Sequence, residues 1–303
     1  MTDTGVTARA RAGGVLDPVV RVLRGRRWLQ ATLLLAAPVG WLVVAYLGAL
    51  SVMLFNGLWR FDLGNQIVVK DISGENFREL LTSHTYWTIT LRTVGMALAV
   101  TVTTAVLAFP IAFTMAKVAT PRQRRLLLVA VLLPLWASYV VKVYAWRTIL
   151  AEEGVLNWML SPLGMSGPGT GGSGLIGIWL TFTYLWLPFM ILPIYAGLER
   201  IPDSLFHASS DLGATPTTTF RKVVLPMAFP SVVAGSIFTF SLTLGDYITP
   251  RLVSSSQFIG NVIYDNLGVA GNLPFAAAYA AFPLVVMTGY LLVARRLGAF
   301  ESL

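Results

Sequence analysis

Asp246 and Tyr247 follow a run without a single charge, Val223 to Gly245. An ionisable group at the edge of such a run is costly to place and marks a pathway or a gate. Glu152, Glu153 and Asp265 are further acids expected on the same side, and Tyr144, Trp146 and Trp186 are aromatics nearby. Carboxylates pair with cations, and aromatic faces attract them. The chemistry open to this set is non-covalent handling of a charged solute, with Asp246, Tyr247, Tyr144, Trp146, Trp186 and Glu153 as the pathway candidates. Aromatic residues also belt membrane interfaces, so each has a bland reading beside that one. Lys142 and Arg147 either snorkel or pair with Glu152 and Glu153.

Bond-making chemistry finds little support. The chain has no Cys, which removes disulfides, thiolate metal sites and Cys nucleophiles. Its two His, His84 and His207, stand far apart, so no metal site is expected. No Gly-Lys dipeptide occurs, hence no phosphate-cradling G-x-x-x-x-G-K-[ST] loop. The G-x-S-x-G and H-E-x-x-H patterns are missing too. No catalytic residue is assigned, and the chain is read as non-enzymatic.

The elements that must position the candidates are membrane spans. Apolar residues make up 55% of the 303 and charged residues 12%, against about 25% charged in a soluble domain. Uncharged runs of bilayer length predict an all-α integral membrane protein, a bundle of six transmembrane helices near 31–55, 90–117, 125–147, 175–197, 226–248 and 274–296. The first is too long for a signal peptide and lacks a small-residue cleavage site, so it is read as retained. Residues 1–30 form a basic segment, 31–297 the membrane domain and 298–303 a tail. Ser161 to Gly174, rich in Gly, Pro and Ser, reads as loop. Glu75 to Leu81 reads as a short amphipathic helix at the interface. Pro110, Pro134, Pro188, Pro193 and Pro283 fall inside spans and can kink them. No internal repeat is evident, which disfavours an inverted-repeat transporter.

Charge sets the direction. Arg9, Arg11, Arg21, Arg24, Arg26, Arg27, Lys117, Arg122, Arg124, Arg125, Arg200, Arg221, Lys222, Arg295 and Arg296, 15 of 22 basic residues, fall on one side. The positive-inside rule makes that side cytoplasmic, with both termini there, and accounts for the net charge of +8 without nucleic acid. The expected location is the inner membrane, with lipid as a partner.

The loop 199–228 is the most patterned stretch. Pro202 and Asp203 stand where a helix begins. Leu205, Ala208, Ser209 and Leu212 share a face at helical spacing. Gly213 is placed to end the helix in a left-handed turn. Thr215 and Pro216 open a second short helix that is expected to run to Val224 and stop at Pro226.

This stretch resembles the EAA loop of type I binding-protein-dependent ABC importer permeases. His207-Ala208-Ser209, Asp211-Leu212-Gly213-Ala214, Phe220, Val224-Leu225-Pro226 and Pro230 match its pattern, with His207 at the usual Glu and Ser209 at the second Ala. The resemblance implies an ATPase-docking surface made of His207, Ala208, Ser209, Asp211, Leu212, Gly213, Ala214, Leu225 and Pro226. It also implies a second permease subunit in a heterodimer, two ATPase subunits that hold ATP and Mg, and an extracytoplasmic substrate-binding protein. Tyr144 to Leu150 with Glu153 to Asn157, Tyr184 to Pro193 and Ser241 to Pro250 are similar to spermidine/putrescine-type permeases, which implies a polyamine as solute. Iron, sulfate, thiamine and opine permeases share much of this pattern. An ATP-independent transporter or channel, or a membrane scaffold, is the competing class.

Overall fold

The computed structural model describes residues 27–62, 64–164, 167 and 174–298. Most of the expected basic segment (1–26), the tail beyond 298 and most of the Gly-rich loop lie outside the described residues. Two units result, Met1–Phe55 and Asn56–Leu303. The first carries most of α1, which runs over 27–56 with a π-helical turn at Val43–Leu47.

The second unit opens on a small antiparallel hairpin, β1 (Arg60–Asp62) and β2 (Ile67–Val69), and on α2 (Glu75–Thr82). Asn76 of α2 donates to the carbonyls of Gly57 and Trp59, which fastens this helix to the hairpin's entry. Then follow α3 (His84–Val118), α4 (Pro121–Trp136), α5 (Tyr139–Leu150), α6 (Val155–Leu160) and α7 (Leu175–Glu199). After α8 (Asp203–Asp211) come α9 (Pro216–Leu244), α10 (Ile248–Val253), α11 (Ile259–Gly268) and α12 (Leu273–Arg296).

The centre of this unit is α3 packed with α7 and α9. The faces of α3 show why. Thr93, Ala97, Val100, Thr104, Ala108 and Ala112 recur at helical spacing and are buried. Leu91, Leu98, Val102 and Val106 lie on the other side and are exposed. Small residues at helix contacts and large apolar ones turned outward are the arrangement that lipid favours, because lipid does not drive large apolar groups inward. The Thr hydroxyls bond back to their own helix, as Thr101 does to Ala97 O and Thr104 to Val100 O, so these hydroxyls are paired without water.

Among the described residues five helices are long and apolar enough to cross a membrane, and α4 with the stretch 139–160, α5 and α6, forms a sixth candidate bent by 94°. The span expected over 125–147 is therefore two helices, broken at Ala137 and Ser138 and not merely kinked at Pro134. Ala137 and Ser138 are extended, with ψ of 141° and 135°. Pro134 already lacks an N–H for the helix ladder. Beyond the break, burial of Val143 and Leu150 against α7 and α10 re-aims the chain. Contacts then show that this pair makes a net crossing. Lys117 at the end of α3 pairs with Asp203 beyond α7, and Arg124 in α4 pairs with Glu199 at the end of α7. Both α3 and α7 thus end on one face. The segment between them must carry the chain to the other.

A second difference concerns Pro226. It does not stop a helix: α9 runs continuously from Pro216 through it to Leu244. The turn before it is π-helical, Phe220–Val224. That wider ladder makes room for a ring lacking an N–H, which would clash in a regular helix interior. At its other end α9 stops at Leu244 rather than 248, which leaves Gly245 to Tyr247 as an elbow.

Candidate functional site

The candidate residues gather at two places, one at each face. On the basic face, α8 ends in a Schellman turn. The Gly213 N–H bonds Ser210 O at 2.9 Å, and the Ala214 N–H bonds Ser209 O at 3.1 Å. Gly213 has φ of +74°, and a Cβ added there would meet nothing, so the demand is for backbone conformation and not for space. Thr215 Oγ1 accepts from the Thr218 N–H at 3.3 Å and caps α9, with Pro216 at the first position. Ser209 Oγ lies 2.7 Å from Thr219 Oγ1 and ties the two helices together.

The result is a stiff hairpin with a displayed face. His207, Ala208, Asp211 and Gly213 are exposed, and Leu212 is 88% exposed. Ser209 and Ala214 are half-buried, while Leu225 and Pro226 sit exposed on α9. Behind this face, Phe113, Phe206, Pro216, Phe220 and Val224 line an open pocket of about 250 Å³.

On the opposite face the elbow holds Asp246. Its Oδ1 accepts from the N–H groups of Ile248 (2.7 Å) and Thr249 (3.1 Å), so it caps α10. Its Oδ2 accepts from Tyr139 Oη and, at 3.4 Å, from Thr249 Oγ1. Tyr139 Oη also lies 2.6 Å from Thr249 Oγ1. Asn261 Nδ2 donates to Tyr247 O at 2.9 Å and pins the elbow from α11.

All four donors to Asp246 are neutral. Among the described residues the three ion pairs lie elsewhere, and Asp265 belongs to one of them, with Arg251 at 2.8 Å. An open pocket of about 370 Å³ lies at this elbow, lined by Tyr139, Trp186, Gly245, Asp246, Tyr247 and Ile248 among others. Trp186 stacks on Tyr139 with ring centres 5.8 Å apart, and its Nε1 is buried without a hydrogen-bond partner.

Of the six expected pathway residues, Asp246, Tyr247 and Trp186 meet at this pocket. The other three do not line it. Tyr144 and Glu153 are exposed, and Trp146 packs on Tyr184 with ring centres 5.5 Å apart. Lys142 and Arg147 make no ion pair with Glu152 or Glu153. Tyr139 was not singled out from the sequence. Its only signal there is a polar ring in an apolar run just past Pro134.

Residues 108–299 match the family described as binding-protein-dependent transport system inner membrane component. The chain is 46% identical over 284 residues, 89% of its length and 90% of the relative's, to the inner membrane ABC transporter permease protein YdcU of Escherichia coli. It is 30% identical over 227 residues, 74% of its length and 79% of the relative's, to the spermidine/putrescine transport system permease protein PotB of Haemophilus influenzae. Among solved structures, a chain of the bacterial alginate ABC transporter in complex with alginate pentasaccharide-bound periplasmic protein superposes with a TM-score of 0.64. That match covers 94% of this chain and 96% of the other at 18% identity, a likeness of fold. With a bundle of apolar helices, an ordered hairpin on the basic face and relatives of this length and identity, the chain belongs to the binding-protein-dependent transport system inner membrane components and is a multi-pass permease subunit of an ABC importer.

Proposed function

We propose that this permease moves a polyamine such as putrescine or spermidine into the cytoplasm by alternating access. One observation carries the choice of solute: an acidic side chain, Asp246, whose hydrogen-bond donors among the described residues are all neutral, at an open pocket walled by Tyr139, Trp186 and Tyr247. A flexible chain of ammonium groups suits such a wall through charge and cation–π attraction. The names of the relatives, spermidine/putrescine permeases at 30% identity, support the same reading.

In this reading the hairpin in loop 199–228 docks a separate ATPase subunit. The docking set is His207, Ala208, Ser209, Asp211, Leu212, Gly213 and Ala214, with Leu225 and Pro226 beside it. ATP and Mg are held by that subunit, since this chain carries no phosphate-loop sequence. A second, distinct permease subunit completes the pathway, and an extracytoplasmic binding protein delivers the solute. The basic face is cytoplasmic, with both termini on it.

Reconstituted vesicles holding both permease subunits, two ATPase subunits and the binding protein test the proposal. ATP-dependent uptake of labelled putrescine or spermidine is expected, with none of iron, sulfate or thiamine. Asp246→Asn should lower polyamine uptake about tenfold or more, the scale of a lost charge-assisted contact. The ATPase subunit should still co-purify with that variant and be lost from Gly213→Val. Uptake of another solute and not of either polyamine would remove the assignment of solute. Full ATPase retention by Gly213→Val would remove the docking assignment.

A further inference from the structure

The docking hairpin is joined to α7 by three residues only, Arg200 to Pro202. A hairpin pushed at its tip would pivot there unless something held it. Two cations from the α3–α4 turn hold it from the side. Lys117 Nζ donates to Ile201 O at 2.6 Å and to Asp203 Oδ1 at 2.9 Å, and lies 5.4 Å from the centre of the Phe206 ring. Its side chain is only 12% exposed. Its bond, and then its charge, hold the Asp203 carboxyl below the ordinary carboxylate value.

Arg124 bridges the same turn. Its Nε and Nη2 bond the carbonyls of Met115 (3.1 Å) and Ala116 (2.8 Å), and its Nη1 bonds Glu199 Oε1 at 3.0 Å. Exposed ion pairs hold little by themselves. These differ because each cation also binds backbone carbonyls through charge-assisted bonds. Those of Met115 and Ala116 belong to the last turns of α3, where ladder partners run out. One pair fastens the end of α7 and the other the start of α8, on either side of the three-residue link.

Arg124 sits in the first turn of α4. That helix ends at Trp136, three residues before Tyr139, whose hydroxyl bonds Asp246. A 16-residue helix is about 24 Å long. One rod therefore has its base bolted beside the docking hairpin and its far end next to the residue that holds the pocket's carboxylate.

We propose that Lys117 and Arg124 are positioning residues that make the docking hairpin and the α3–α4 turn one rigid body, so that motion imposed on the hairpin by the ATPase enters α4 and is not lost in a pivot at Ile201–Pro202. The proposal rests on the docking role assigned to loop 199–228 above. Neither residue lines the pocket at Asp246. Their loss should separate ATP hydrolysis from transport and leave both machines standing.

The chain has no Cys, so the contact can be cut and rebuilt in the full reconstituted complex. Lys117→Cys with Asp203→Cys, in an Arg124→Gln background, cuts it; a short bis-methanethiosulfonate reagent rebuilds one side. In the cut form uptake per ATP hydrolysed should fall about tenfold, with the ATPase subunit still bound and still hydrolysing. Bridging should restore uptake per ATP most of the way. A cut form as tightly coupled as the original would overturn the proposal. So would a bridged form that still hydrolyses ATP without uptake, or loss of the ATPase subunit that bridging does not reverse. Failure of the docking role has a different signature: Gly213→Val would then retain the ATPase subunit as the unaltered chain does.

Discussion

Gly197 on α7 faces Ser231 on α9 so closely that a Cβ built on it would fall 1.9 Å from Ser231 Oγ. No side chain fits without separating two helices at the centre of the bundle. Gly197→Ala should therefore cost about 1–3 kcal/mol, the range for overpacking a close-packed contact. Thermal unfolding in detergent measures it, and Gly197→Ala with Ser231→Gly should recover most of the loss. Equal melting of single and double variants would show that the helices part without cost. Nothing in the sequence around Gly197 marks this contact, because its partner lies in another helix. Gly213 is the opposite case. A glycine followed by Ala-Thr-Pro after a short helical run reads as a left-handed C-terminal turn from local chemistry alone. Asp246 was legible for a similar reason, since a lone acid after a long uncharged run has a cost wherever it lies. Tyr139 was not, since its meaning comes from an acid 107 residues away.

At the scale of elements the same division holds. Long uncharged runs give away α3, α7, α9 and α12, because a bilayer sets their length. The break between α4 and α5 is hidden, since Ala137 and Ser138 are ordinary helix residues and Pro134 alone does not force a 94° bend. Tertiary contacts decide it, and Tyr139 makes some of them. It sits at the first position of α5, and its hydroxyl bonds Asp246 and lies 2.6 Å from Thr249 Oγ1 of α10. Tyr139→Phe keeps the stack on Trp186 and removes only the hydroxyl. It should cost about 1–3 kcal/mol, the range for leaving a buried acceptor short of a donor. A melting temperature unchanged from the original would mean that burial of Val143 and Leu150 holds the bend by itself. The continuity of α9 through Pro226 was equally out of reach of local rules, which place a proline at a helix end. A π turn just ahead of it lets the helix continue.

For the whole molecule the question is parity. Length and composition allow five spans or six, depending on whether the bent α4–α5 pair crosses or turns back. An even number puts both termini on one side and an odd number puts them on opposite sides. Two ion pairs support six. Lys117 to Asp203 and Arg124 to Glu199 bring the end of α3 and the end of α7 to one face. The starts of α3 and α12 meet on the other, where Tyr279 Oη bonds Tyr86 O at 3.2 Å and lies 3.1 Å from Thr90 Oγ1. Since α3 and α7 each cross once and finish together, the chain between them crosses once in net. The basic residues agree, because Lys117, Arg122, Arg124, Arg125, Arg200, Arg221 and Lys222 then share one face, the face proposed above as cytoplasmic. Reporter fusions check this directly. A fluorescent protein that folds only in the cytoplasm should light up at both the N- and the C-terminus, and a phosphatase active only outside should stay silent at both. A fusion truncated after Gly164 should give the reverse pair of signals. Opposite signals at the two termini would make the α4–α5 pair re-entrant, and the contacts of Lys117 and Arg124 would then have to form across the membrane, which side chains of that length cannot do.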